Sequence, residues 1–287
     1  MKKYISLLLS IIVCLTVFAG CTKSGSDSEY VITMDSHYDY VNDTAVRSYE
    51  KLCNAVINGE EEVRFNTAHM DEINQLFYTC FPLYPLVESI DILENNTGVG
   101  IKYKNDMDKH TELVSQFNDK ISDIMKECRY SKVSTDEYIF NVYVYITSNF
   151  KIDSSIFTTF DTVVEGKGYN ASINSLFEYL VLRGGGKASH IISSTGSNIM
   201  SMVNFAGKSY FFDPAKEIEI NSGTALVYFA MDTSRAAGVF LYTDNTDVEK
   251  IEDDSFSKLA LSESYTVKKS TVTVQCSDES EFVFNLN

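Results

Sequence analysis

The sequence predicts an α+β protein, and three observations predict it. Apolar residues recur at helical spacing through several segments of the first 150 residues. A further helix, 170–183, is apolar around most of its surface and is followed by strand-like runs, so it is expected to lie buried on an antiparallel sheet. The last stretch, 240–287, alternates apolar and polar residues and reads as a β-rich C-terminal extension.

In chain order, residues 42–58 predict an amphipathic helix, with Ala45, Tyr49, Leu52, Cys53 and Val56 on one stripe and Asn58-Gly59 as its stop. A second helix is expected over 69–80 and is broken by Phe81-Pro82-Leu83-Tyr84-Pro85. Residues 87–104 read as two short strands around an Asn95-Asn96-Thr97-Gly98 turn. Helices follow over 109–128, where Leu113, Phe117, Ile121, Ile124 and Cys128 share a face, and over 134–150, opened by Ser134-Thr135-Asp136-Glu137. Gly166-Lys167-Gly168 is a loop. The buried helix then carries Ile173, Leu176, Phe177, Leu180 and Val181 and stops at Arg183-Gly184-Gly185-Gly186. Strand-like runs at 188–194, 199–205 and 208–213 come next, with Ala206-Gly207 as a two-residue hairpin turn. In the tail, 265–276 and 281–286 read as strands.

The N-terminus has a different character. Lys2 and Lys3 precede an uncharged apolar run from Ile5 to Phe18. That run is shorter than the ~20 residues of a spanning helix and fits a signal-peptide core. It ends in Phe18-Ala19-Gly20-Cys21, which resembles the lipobox of bacterial lipoproteins, although the pattern usually has Leu at the Phe18 position. The resemblance implies that Cys21 becomes the first mature residue and carries acyl chains that hold the protein on a membrane. The competing reading is an ordinary secretory signal that leaves Cys21 as a thiol. The polar run Thr22 to Glu29 reads as tether. The expected organisation is a signal peptide at 1–20, a flexible tether at 21–40, a body at 41–239 and the extension at 240–287.

The chain has 24 basic and 40 acidic residues, a net charge of −16. Without Lys2 and Lys3 the balance is 22 basic against 40 acidic residues, or −18. Such a surface repels nucleic acid, so none is expected as a partner. Beyond Cys14 and Cys21, the cysteines are Cys53, Cys80, Cys128 and Cys276, widely spaced and without a C-x-x-C pair. Four thiols allow three full disulfide pairings, or they pack as small buried hydrophobes. His37, His69, His110 and His190 are scattered without ligand spacing, and Asp35, His37, Asp39 and Asp43 lack the glycine turn of a calcium loop. No metal or cofactor is expected.

From Gly166 to Pro214 the order is loop, buried helix, strands, Asp-Pro. The stretches are Gly166-Lys167-Gly168-Tyr169-Asn170, then Asn198-Ile199-Met200-Ser201, then Gly207-Lys208-Ser209-Tyr210-Phe211-Phe212-Asp213-Pro214. This resembles the core of the transglutaminase-like domain, a papain-related fold, in which a Gly-x-Gly-Val-Cys loop opens a helix and His-x-Trp-Asn, Gly-Lys-Trp-Tyr and Asp-Pro-Thr follow. Phe177 and Gly184-Gly185 match the family's helix spacing if Asn170 takes the Cys position. Counting back from Gly207-Lys208 then puts Asn198 at the His position and Asp213 at the Asp position. The resemblance extends to Asn149-Phe150-Lys151-Ile152-Asp153 upstream and Tyr228-Phe229-Ala230-Met231-Asp232 downstream, covering about 45 to 235.

The hairpin offers a geometric reading of its own. A turn at Ala206-Gly207 pairs Phe205 with Lys208 and Met200 with Asp213, which leaves Asn198 on the same face as a diagonal neighbour of Asp213. Asn170 opens the buried helix, so the three positions are expected to converge. The chemistry is missing, however. In the active family a Cys thiolate attacks an amide carbonyl, His moves the proton and Asp orients the His. The amide side chains of Asn170 and Asn198 do neither job. Each residue also has a plainer role. Asn170 suits a helix N-cap, Asn198 a turn, and Asp213 a strand-end hydrogen bond. His190 reads as a strand histidine and Ser172 as an ordinary serine, and Cys80 and Cys128 lie on helices before the core. The resemblance therefore implies a catalytically inactive domain that binds peptide, glycan or an envelope protein. The alternative is an active peptide-amide hydrolase or transferase using another centre on the same fold.

Overall fold

Helix ends are set by side chains that satisfy the first turn. In the computed structural model, which describes residues 32–34, 38, 41–94, 96–192, 199–221, 224–237 and 250–286, Asn42 Oδ1 accepts from the Thr44 amide to open α1 (Asp43–Asn58). Ser134 accepts from the Glu137 amide to open α4 (Thr135–Asn149), as its S-T-D-E run predicts. Between them lie β1 (Glu62–Arg64), α2 (Met70–Cys80), β2 (Val87–Ile92), β3 (Gly98–Tyr103) and α3 (Met107–Glu127). The strands form a sheet of order β1-β3-β2. β1 is not among the elements expected from the sequence; the boundaries of the other elements fall within about two residues of the predicted ones.

After α4 come β4 (Lys151–Ile152), α5 (Thr159–Glu165), β5 (Lys167–Gly168), which pairs parallel with β4, and α6 (Asn170–Arg183). The three strands β6 (Ala188–Ile192), β7 (Ile199–Phe205) and β8 (Lys208–Phe212) form an antiparallel sheet in that order, against which α6 lies. Phe205 pairs with Lys208, and both Ala206 (φ 51°) and Gly207 (φ 77°) sit in the left-handed region of a type I′ turn. A short helix α7 (Pro214–Asn221) starts immediately after Asp213, and α8 (Thr233–Ala237) follows. Neither these two helices nor α5 is marked by a long apolar period.

The tail departs from its expected form. The single run 265–276 is a hairpin of β9 (Ser262–Lys268) and β10 (Thr271–Cys276), to which β11 (Glu281–Asn285) adds. The turn is Lys269-Ser270, with Lys269 at φ 56°. The sequence carries a break there: Lys268-Lys269-Ser270-Thr271 are four polar residues in a row, across which the apolar alternation changes phase from Tyr265 and Val267 to Val272 and Val274. With the sheets otherwise antiparallel and 48% of the described residues helical against 24% in strands, the class is α+β.

The core is aromatic. Tyr143 on α4, Phe177 on α6, Phe212 on β8 and Phe229 meet edge to face, with Tyr143–Phe229 centroids at 5.0 Å and Phe212–Phe229 at 4.9 Å. Phe284 of β11 stacks on Phe229 and lies against Phe140, so the inner face of the C-terminal sheet joins the same core. Glu217 is buried with it, and Arg235 is partly buried beside it. Glu217 accepts from Tyr143 Oη (2.9 Å) and the Tyr228 amide (2.7 Å). The Arg235 guanidinium donates to the carbonyls of Val227, Ala230 and Phe256. Of the stretch expected to be tether, Thr33 and Tyr38 are buried on the body, Thr33 through its carbonyl to Tyr49 Oη. The expected signal peptide at 1–20, Cys21 and residues 240–249 lie outside the described residues. No helix among the described residues is long and apolar enough to cross a membrane.

Candidate functional site

α6 carries the site because its N-terminus and its first two turns face the start of α7. Tyr169, with extended backbone, is the N-cap, and its carbonyl accepts from the Ile173 amide. Asn170 is therefore the first helical residue, half-buried, and not the cap that its residue type suits. The Tyr169 amide bonds the Ile156 carbonyl at 2.7 Å, which holds the chain extended one residue longer than sequence preference suggests. Ser172 is the structural serine expected of it, with Oγ within hydrogen-bond distance of Thr162 Oγ1 and of the Ile156 and Tyr169 carbonyls.

One helical turn beyond Asn170, and on the same face, lies Asn174. Its side chain is fully engaged. Nδ2 donates to Asp213 Oδ1 at 2.9 Å and to the Ile199 carbonyl, while Oδ1 accepts from the Ala215 amide at 3.1 Å. Asp213 Oδ1 also accepts from the Lys216 amide at 2.9 Å, which makes Asp213 the N-cap of α7, and Pro214 supplies the preorganised first helical position. The Asp213 amide donates to the Tyr228 carbonyl. Burial pushes the Asp213 carboxyl up to about 6, against the Asn174 and Lys216 hydrogen bonds that favour the charged form.

Asn170 lies one helical turn before Asn174, and it is the Asn174 side chain that reaches Asp213. Asn198 lies outside the described residues, but its neighbour Ile199 opens β7 with its carbonyl on Asn174. Sequence reading missed Asn174. The available signal was an amide between Ile173 and the Leu176-Phe177 pair on a helix expected to be buried, a position where a polar side chain must find partners.

A reactive thiol is not part of this arrangement. Cys53, Cys80, Cys128 and Cys276 are present as buried thiols. Burial raises Cys53 well above the ordinary thiol range and pushes Cys128 up to about 12, so neither forms a thiolate at neutral pH. Among the described residues no group of His, Cys, Asp and Glu side chains is placed to hold a metal ion.

No model of a known protein family matches the chain, and no curated protein matches it either.

Proposed function

We infer that this chain is an exported bacterial lipoprotein, anchored through lipid on Cys21, whose body is a transglutaminase-like domain without catalytic activity. In this reading the domain binds peptide, glycan or another envelope protein and takes no nucleic acid. One observation carries it. The carboxylate at the family's Asp position is bound by the amide of Asn174 and the amide N–H of Lys216, groups that orient nothing and move no proton. An amide nitrogen is neither a base nor a nucleophile at neutral pH, so the polar groups around Asp213 join α6, β7 and α7 instead of activating a nucleophile.

The test uses the full chain expressed in a bacterial host and purified in detergent. It is expected to incorporate labelled fatty acid, and Cys21→Ser is expected to abolish that incorporation. Incubated with glutamine-containing peptides, with and without a primary amine, the protein is expected to release no ammonia and to form no cross-link. Turnover that disappears in Asp213→Ala would sink the non-catalytic reading, and fatty-acid labelling that survives Cys21→Ser would sink the anchor.

A further inference from the structure

On another part of α6 a cavity of about 350 Å³ opens between this helix, the end of α2 with its Phe81-Pro82 break, and the edge of β6. That volume sits at the small end of the range for ligand pockets. Its buried wall is engaged within the protein: the Glu178 carboxylate stands 3.7 Å from His190 Nδ1, and the Tyr38 ring lies 6.3 Å from that of His190. The mouth is different. Gln75, Tyr78 and Thr79 fall at i, i+3 and i+4 on α2 and share one face of it. Tyr78 is 53% exposed, and its ring meets that of Tyr84 at 5.7 Å and 76°, which makes a corner of two aromatic surfaces. Thr159 at the start of α5 and Ser175 on α6 add two more hydroxyls to the lining. Among the described residues the hydroxyls of Tyr78, Thr79, Thr159 and Ser175 have no hydrogen-bond partner. Gln75 Nε2 donates to Tyr38 Oη at 3.3 Å, which leaves Gln75 Oε1 as an acceptor. No lysine, arginine or aspartate is found among the described residues lining the cavity.

We propose that this cavity binds a neutral saccharide unit. A sugar ring carries apolar C–H faces and a periphery of hydroxyls, and the mouth offers a partner to each. The faces of the Tyr78 and Tyr84 rings are negative and attract the positive edges of C–H bonds. A hydroxyl is both donor and acceptor, so the hydroxyls of Thr79, Thr159 and Ser175 can serve either need of a sugar hydroxyl, and Gln75 Oε1 accepts from another. Charge decides between sugars. With no lysine or arginine among the described lining residues and a net charge of −16, a uronate or a phosphorylated sugar is repelled. Glu178 and His190 take no part in this recognition and serve as the floor against which the ligand rests. The proposal rests on the binding reading above, of which it selects the glycan and gives it a place on the surface.

Titration calorimetry tests it, on the full chain purified in a detergent without a sugar head group. The neutral probes are methyl glucoside, methyl galactoside and N-acetylglucosamine, with their disaccharides cellobiose, lactose and diacetylchitobiose. Glucuronate and acetyl-trialanine amide are the anionic and peptide controls. At least one neutral probe is expected to bind, about tenfold more tightly than glucuronate. A disaccharide that binds better than its own unit identifies a glycan chain as the source, and the reverse order identifies a free sugar. Tyr78→Ala, at the exposed rim where folding is not at stake, is expected to weaken that binding roughly five- to tenfold. Thr79→Val and Ser175→Ala, which each remove one hydroxyl, are expected to weaken it about threefold or more. No binding of any neutral probe, binding of glucuronate or the peptide as tight as the best of them, or full affinity in Tyr78→Ala each overturns the proposal. Fatty-acid labelling and ammonia release are read on the same protein without any sugar, so the proposal and the reading it rests on fail separately.

Discussion

The side-chain amide of Asn174 donates to the Asp213 carboxylate at 2.9 Å and, through its own oxygen, receives the amide of Ala215. A residue in the second turn of α6 thereby fixes the first turn of α7. Removing it strands a buried acceptor and a buried donor together. Asn174→Ala is expected to lower unfolding free energy by about 2–4 kcal/mol, read from urea denaturation. A loss below about 0.5 kcal/mol would show that water replaces the amide at no cost.

Asp213 makes stability depend on pH in a sense opposite to most carboxylates. Its folded value of about 6 lies above its ordinary 3.8, so the folded protein keeps this proton between the two values while the unfolded chain gives it up. The contribution is complete below about pH 4 and is lost as pH rises through 6, a loss on the order of 3 kcal/mol. Asp213→Asn retains an acceptor for Asn174 and Lys216 and carries no such titration. The stability of the variant relative to the parent is expected to rise between pH 4 and pH 7. Denaturation at each pH checks this, and a difference that stays flat counts against it.

Gly184 follows α6 where the helix passes the ring of Tyr138, whose Oη bonds the Leu180 carbonyl at 3.1 Å. A Cβ at Gly184 would overlap that ring. Gly184→Ala is expected to cost about 1–3 kcal/mol by overpacking, with an unchanged dependence of unfolding on denaturant. Tyr138→Phe combined with Gly184→Ala is not expected to relieve it, since the overlap is with ring carbons.

The β7–β8 turn offers a gain. Ala206 adopts φ 51°, a conformation that asparagine tolerates better than alanine. Ala206→Asn is expected to raise stability by about 0.5–1 kcal/mol, seen as a higher thermal midpoint.

The thiols are expected to be silent in the folded protein. With Cys53 and Cys128 held protonated by burial, a thiol reagent at pH 8 is expected to modify them only at the rate of unfolding. Modification of either at the rate of a small-molecule thiol would contradict that.

Much of the fold was legible because local chemistry and burial agree. Asn42 and Ser134 cap the helices that their positions announce, and the apolar period of 43–58 is the stripe that is buried. The register of β7 against β8 followed from Ala206-Gly207 alone, because a two-residue turn leaves one pairing. Illegible parts share a physical cause. The Lys269-Ser270 turn has no glycine, proline or asparagine, only Ser270 and a change of phase in the alternation to mark it, and is held by pairing on both sides of β10. α7 has eight residues, too few to show a period, and depends on the Asp213 cap.

At the site, the sequence by itself determined which residue types were present: amides at Asn170 and Asn174 in the first turns of α6, and an Asp213-Pro214 that starts a helix. It also determined the apolar character of α6, since only burial stabilises such a segment. Tertiary structure alone decided that Asn174 holds Asp213. It likewise brought Glu178 and His190, twelve positions apart, to 3.7 Å on the wall of one cavity. The physical reason is the same in both cases. Periodicity says which face of a helix turns inward, but a polar side chain on that face takes whichever partner the packing of other elements delivers, and that partner leaves no mark in the local sequence.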